Sequence, residues 1–245
     1  MPPYELLEFA TPDALARAAA TATLAEIQAA GQAGRPFSVA LSGGRVARLY
    51  FERLAEQARE RAVAFDHVHF FWADERCVSP DSTESNYRLA QEGLFTPLHV
   101  PTGNIHRLRG ELEPAQAVAQ AEAELRKVVA PDANGMPALD LVLLGLGEDG
   151  HVASLFPDAG PAVVNCPAPF LAVYDSPKPP PGRITLSYTA MAAARAVWVL
   201  VSGAGKAAAL RKSLIPGAQT PLARVIQQKM AVKILCDPTK DFACK

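Results

Sequence analysis

Neither sign of charge dominates this sequence. Its 24 Lys and Arg against 25 Asp and Glu leave a net charge of -1. That balance gives no electrostatic footing for nucleic acid or an anionic membrane as partner, so a bound anion needs a local cluster of cations. Long apolar runs are missing too: none reaches the ~18–20 residues of a membrane span. Cysteine is scarce. Cys77, Cys166, Cys236 and Cys244 form no C-x-x-C pair and no metal-ligand spacing, and reduced thiols of a cytoplasmic protein are expected. The five histidines include no H-E-x-x-H pattern, so neither a metal nor a cofactor is expected. The N-terminal "MPPYELLEFATPDAL" has no basic segment followed by an apolar one, and no secretory signal is read there. No internal repeat occurs, and the one biased segment is the stiff proline-rich "SPKPPPGR" at 176–183.

What remains is an ordinary globular mixture, 49% apolar and 20% charged, in a chain long enough to bury a large core. Short apolar runs alternate with helical stretches. Thr11 and Pro12 open an alanine-rich helix that ends near Gly31. "FSVAL" at 37–41 reads as a buried strand, followed by "SGG" and a helix from about Arg45 to Arg61. "HVHFFWA" is the next strand, followed by "DER", a loop and a helix from near Ser85. Glu113 and Pro114 open another helix, and "LDLVLLGL" is the third strong strand. "FLAVY", "RITLS" and "AVWVLVS" are further strand candidates, "GAGKAAALRKSL" is a glycine turn feeding a helix, and "AVKILCD" is a last strand. Strands alternating with helices imply a mostly parallel sheet covered on both faces.

The polar clusters "SGG", "DER", "GEDGH" and "SGAGK" each follow an apolar strand. In an open α/β sheet, loops at the carboxyl ends of the strands line one crevice. The four are therefore expected to converge. Gly43 and Gly44 let backbone N–H groups approach an oxyanion at a helix N-terminus, and Ser42 adds a hydroxyl donor; a tight strand-to-helix turn would explain the glycines equally. The G-x-x-x-x-G-K-[ST] spacing of a P-loop is absent. Lys206 opposes the dipole of the helix it opens, a conflict an anion would remove, and Arg183 is a second cation within reach of such an anion. Both have a plain alternative as surface residues. Asp74 can orient a hydroxyl, and Arg76 can polarise a carbonyl or grip phosphate; a salt-bridged turn is the competing explanation. Ser85 and Asn86 are accounted for as a helix cap. His151 is the one group in these loops suited to proton transfer near neutral pH, with Asp149 placed to orient its ring or a hydroxyl. His67 and His69 alternate with apolar residues, as packing or exposed-face positions would. His99 and His106 lie in a connecting region.

At this point the motifs resemble a known family. "SGG", "DERCVSPDSTESNYRLA", "LLGLGEDGHVASLFP" and "RITLS…AARAVWVLVSGAGKAAAL" resemble, in order, four blocks of the 6-phosphogluconolactonases, within the wider glucosamine-6-phosphate deaminase/isomerase group. The blocks run from Leu41 to Leu210. The resemblance implies one domain over 1–245 with a doubly wound, Rossmann-like α/β fold, a mostly parallel sheet with helices on both faces, and a small additional α+β region. It implies a cytoplasmic hydrolase of the pentose phosphate pathway, monomeric or weakly dimeric, acting on 6-phospho-D-glucono-1,5-lactone. His151, Asp149, Arg76 and Asp74 would be catalytic, and Ser42, Gly43, Gly44, Arg45, Arg183 and Lys206 would hold substrate phosphate. Two departures stand out. Val46 replaces a threonine of the phosphate loop, a lost charged hydrogen bond of about 1.5–3 kcal/mol unless Arg45 compensates. Ser79 stands where proline is usual. The deaminase relatives carry a glutamate five residues after the motif histidine, and here that position is Phe156. An amino-sugar phosphate deaminase/isomerase and a non-catalytic sugar-phosphate sensor are the alternatives. The ~35 residues before "FSVAL" are too few for the DNA-binding module such sensors usually carry.

Overall fold

The computed structural model describes residues 3–229 and 232–237. Its strands are β1 (Tyr4–Glu8), β2 (Phe37–Leu41), β3 (Val68–Trp72), β4 (Asp74–Arg76), β5 (Leu141–Gly145), β6 (Phe170–Val173), β7 (Arg183–Leu186), β8 (Ala196–Val201) and β9 (Val232–Cys236). The α-helices are α1 (Pro12–Gln32), α2 (Arg45–Glu60), α3 (Asn86–Ala90), α4 (Thr96–Leu98), α5 (Pro114–Val128), α6 (Pro161–Val164), α7 (Tyr188–Ala193), α8 (Ala207–Leu214) and α9 (Pro221–Gln228). Cys244 and Ala231, the first residue of "AVKILCD", lie outside the described residues.

Six strands form a sheet in the order β1-β9-β8-β5-β2-β3, and every neighbouring pair is parallel. All five residues of β2 are buried, as are four of five in β5. This is why these strands read as unbroken apolar runs rather than alternating ones. From β2 the chain builds outward to β3, whereas β5, β8 and β9 build the other way. The topological switch point therefore lies between β2 and β5, where such sheets leave a crevice outside the carboxyl ends of the strands.

The expected helix signals act as read. Thr11 accepts a hydrogen bond from Ala14 N at 3.1 Å, and Glu113 accepts one from Gln116 N at 3.1 Å, each satisfying a donor the helix end leaves unpaired. α1 packs on α2, where Tyr50 Oη donates to Thr23 Oγ1 at 2.9 Å in the buried seam.

Two strand candidates depart from the parallel sheet. "FLAVY" and "RITLS" supply β6 and β7, which join β4 in a separate antiparallel sheet of order β4-β7-β6. "DER" is likewise a strand. The chain changes sheets at the fully buried Ala73, whose N–H donates to Leu41 O in the large sheet and whose C=O accepts from Leu186 N in the small one, both at 2.7 Å. Asp74 thus pairs with Thr185 and Arg76 with Arg183.

Candidate active site

The turn after β2 is shaped by glycine and tied to β5. Ser42 Oγ donates to Leu143 O at 2.8 Å. This bond ties Ser42, which lines the cleft, to β5. Gly44 has φ +100, a conformation L side chains rarely adopt, and it occupies the N-cap position of α2 with no side-chain capping bond. The first N–H groups of a 16-residue helix are left for a ligand. Arg45 is exposed at the mouth and Val46 is buried in the wall.

Across from this turn, Gly203 (φ +105) opens a short 3₁₀ turn that ends at Lys206. Burial pulls the Lys206 ammonium below its ordinary pKa, the charge of Arg45 adds to this, and Glu148 opposes it. A half-buried cation beside another cation and an uncapped helix N-terminus is an arrangement that an anion relieves.

The loop after β5 is a tight hairpin closed on itself. Gly147 N donates to His151 O at 2.9 Å, and Gly150 bends it with φ +91. Within it, His151 Nδ1 lies 2.6 Å from Asp149 Oδ1, and His151 N donates to the same oxygen at 3.2 Å. Burial works to raise the Asp149 pKa, but its bonds to His151 and Lys178 hold the carboxyl down at about 2. An ionised carboxylate can only accept, so Nδ1 carries the ring proton and Nε2 is left basic. Burial lowers the His151 pKa, with Asp149 opposing, so the imidazole stays neutral at neutral pH. Phe156 packs on the ring with centroids 4.9 Å apart.

β4 alternates its side chains across the site. Asp74 is buried and accepts from Ser154 Oγ at 2.6 Å and from Asn86 Nδ2 at 3.3 Å. Glu75 turns away into the protein, accepting from Arg76 N, Asn86 N, Tyr87 N and Ser85 Oγ at 2.7–3.0 Å. Arg76 returns to the cleft, where it bonds Glu84 O and has a buried Nε with no partner.

All ten predicted site residues come together except that Asp149 stands behind His151 rather than in the wall. Ser42, Gly43, Gly44, Arg45, Asp74, Arg76, His151, Arg183 and Lys206 line one cleft of about 350 Å³ at the switch point. Arg183, read from the sequence as a phosphate cation, is 5% exposed and is also a fastener. Its Nε donates to Pro180 O, and one terminal nitrogen donates to Lys178 O and Pro179 O, at 2.9–3.2 Å. A larger hollow of about 740 Å³ includes none of these ten residues in its lining. It holds His69 and His106, which pair with each other at 3.0 Å, and His67 bonds Ile27 O at 2.9 Å. Those three histidines are packing residues.

Sequence reasoning missed two residues of the cleft. Asn86 looked fully explained as part of a helix cap, yet the cap is Ser85 and the Asn86 amide serves Asp74. Lys178 was one letter in a proline-rich loop, and its Nζ lies 3.2 Å from Asp149 Oδ2 and 3.3 Å from His151 Nδ1. The signal available was a lone cation among prolines directly before the buried strand β7.

Comparison with known proteins agrees with this geometry. Residues 10–234 match the family described as glucosamine-6-phosphate isomerases/6-phosphogluconolactonase. A probable chloroplastic 6-phosphogluconolactonase 3 of rice is 40% identical over 184 residues, 72% of this chain and 55% of the rice protein. The chain thus spans about half the length of that relative. A 6-phosphogluconolactonase of Mycobacterium tuberculosis is 36% identical, with 84% of each chain covered. The solved structure of the Trypanosoma brucei 6-phosphogluconolactonase superposes with a TM-score of 0.84 at 29% identity, covering 95% of both chains. With nearly the whole chain matched, this protein belongs to the glucosamine-6-phosphate isomerase/6-phosphogluconolactonase family.

Proposed function

We propose that this cleft hydrolyses 6-phospho-D-glucono-1,5-lactone to 6-phospho-D-gluconate, the lactonase step of the oxidative pentose phosphate pathway. The observation that carries the reading is the pairing of a neutral, carboxylate-oriented His151 with an uncapped helix N-terminus and a half-buried lysine in one cleft. One half moves a proton and the other holds an anion.

In this reading His151 Nε2 takes a proton from water as the water oxygen bonds to the lactone carbonyl carbon, general-base help of about 10²–10⁴-fold. Arg76 faces the oxyanion that forms. When the bond from carbonyl carbon to ring oxygen breaks, its electron pair goes to the ring oxygen, which takes the proton back from Nε2. Asp149 steadies the imidazolium between these steps, and Asp74, fixed by Ser154 and Asn86, orients a sugar hydroxyl. The α2 N-terminus with Gly43, Gly44, Arg45, Lys206 and Arg183 holds the phosphate away from the reacting bond, using remote binding energy for orientation. Phe156 against His151 leaves no acid where amine departure would need one, which favours hydrolysis over deamination. Residues 1–245 act as one domain, monomeric or weakly dimeric. Its setting in this reading is cytoplasmic. Among the described residues no helix is long and apolar enough to cross a membrane.

The test is acid release in a pH-stat with the phosphorylated lactone beside unphosphorylated gluconolactone. Turnover of the phosphorylated lactone with a strong preference over the other is expected. Equal rates would remove the phosphate assignment, and ammonia release from glucosamine 6-phosphate would replace the reaction altogether.

A further inference from the structure

We propose that Lys178 is a positioning residue for the hydrolysis: by sharing the Asp149 carboxylate with His151, its ammonium keeps the imidazolium a short-lived, readily discharged state. The inference rests on the lactonase reading of the cleft.

The geometry separates two ways of counting protons. Asp149 presents Oδ1 to His151 Nδ1 at 2.6 Å and Oδ2 to Lys178 Nζ at 3.2 Å, while Nζ and Nδ1 are 3.3 Å apart. If Nδ1 were the bare nitrogen, the lysine could donate to it, but a carboxylate oxygen would then face a lone pair at 2.6 Å. The shorter contact decides: Nδ1 holds the proton, Lys178 donates to Oδ2, and the 3.3 Å approach of lysine to the ring is a juxtaposition of two donors. Such an approach is tolerable beside a neutral imidazole and costly beside a charged one. After water gives its proton to Nε2, two cations share one carboxylate. The proton then leaves readily for the departing ring oxygen.

The other groups around His151 do not supply this effect. Phe156 covers one face of the ring and carries no charge. Asp74, on β4, favours the imidazolium, as Asp149 does. Burial is the largest influence against the imidazolium, and Lys178 is a cation whose charge adds to it. The backbone around it is built to hold it there: Lys178 N donates to Ser176 Oγ at 3.2 Å, Ser176 Oγ donates to Lys178 O at 2.9 Å, and Arg183 donates to the carbonyls of residues 178, 179 and 180. The side chain is 45% exposed, so solvent screening makes the effect moderate.

The experiment compares Lys178→Met and Lys178→Arg with the parent protein in two measurements. The first is the pH dependence of kcat/KM for the phosphorylated lactone. The second is an NMR titration of ¹⁵N-labelled His151. In the Met variant the acid limb and the His151 titration move together to higher pH, by about one unit at the screened limit, and kcat falls more than KM rises. Arg restores both. The proposal is overturned by an unmoved His151 titration in the Met variant. It is equally overturned by a rise in KM alone, which would make Lys178 a substrate-binding cation. Should the parent protein not turn over the lactone, the lactonase reading fails on that result, while the titration still reports whether Lys178 acts on His151.

Discussion

The Asn86 side chain admits only glycine at position 43: a Cβ there would lie 1.8 Å from Asn86 Oδ1. The same amide donates to the Asp74 backbone carbonyl at 2.9 Å and to its carboxylate at 3.3 Å. The phosphate turn and the acid on β4 therefore share one buried side chain. Gly43→Ala must displace Asn86, and Asp74 with it. A drop in kcat/KM of about 10²-fold is expected for a misplacement of this size, read in the lactone assay beside a circular dichroism check of the fold.

The two halves of the cleft are separable by mutation. A Cβ at Gly147 would lie 2.0 Å from His151 Nδ1 and 2.6 Å from Asp149 Oδ1. Gly147→Ala should therefore imitate His151→Ala, each lowering kcat by at least about 10²-fold while KM stays near the parent value. A His151→Ala protein with full kcat would remove His151 as the base.

Lys206→Ala should do the reverse. Losing one charged hydrogen bond to phosphate, about 1.5–3 kcal/mol, raises KM roughly tenfold to a hundredfold and leaves kcat near the parent value. Steady-state kinetics over a wide lactone range distinguish the two patterns.

The pH dependence has a fixed sign. Burial disfavours the His151 imidazolium, so the active neutral ring persists below the usual histidine range. The rate should rise with pH along a limb centred below 6.5, the ordinary value, and level off before neutrality. Asp149 contributes to stability in the opposite region. Its carboxyl titrates at about 2 in the folded protein against 3.8 normally, so this contribution is complete above the normal value and is lost as pH falls towards 2. Acid titration followed by fluorescence should find Asp149→Asn less sensitive across that window.

Glu75→Gln probes the frame rather than the chemistry. The carboxylate accepts from three backbone N–H groups and the Ser85 hydroxyl. A glutamine must turn its NH₂ against one of these donors. Destabilisation of about 1–3 kcal/mol is expected, measured as a lower midpoint in urea.

The large sheet was legible because parallel strands buried on both faces leave unbroken apolar runs, as in "FSVAL" and "LVLLG". The loop residues that follow them inherit their place from that topology, which is why the expected convergence of His151, Lys206 and the glycines on one cleft could be read from pattern. Of the small sheet, "FLAVY" and "RITLS" were legible as strands, but β4 and the pairing of the three were not. β4 is three charged residues, two acids and an arginine, whose only signal is pairing with β7, more than a hundred residues later in the chain. Asn86 and Lys178 escaped for related reasons. Each has an adequate local explanation, and its contact with the site exists only once the small sheet is folded back over the large one. The tie from Ser42 Oγ to Leu143 O was likewise invisible in the motif, because it forms only where β2 packs beside β5.

Arg183 clasps the carbonyls of residues 178, 179 and 180 with its own guanidinium. A rim tied in this way has little conformational freedom left to surrender when a ligand arrives, since that entropy was lost during folding. A phosphorylated ligand of the kind proposed would then arrive by diffusion at a finished receptacle lined by Arg45, Arg183 and Lys206. Salt, more than solvent viscosity around a moving flap, should set how quickly it fills.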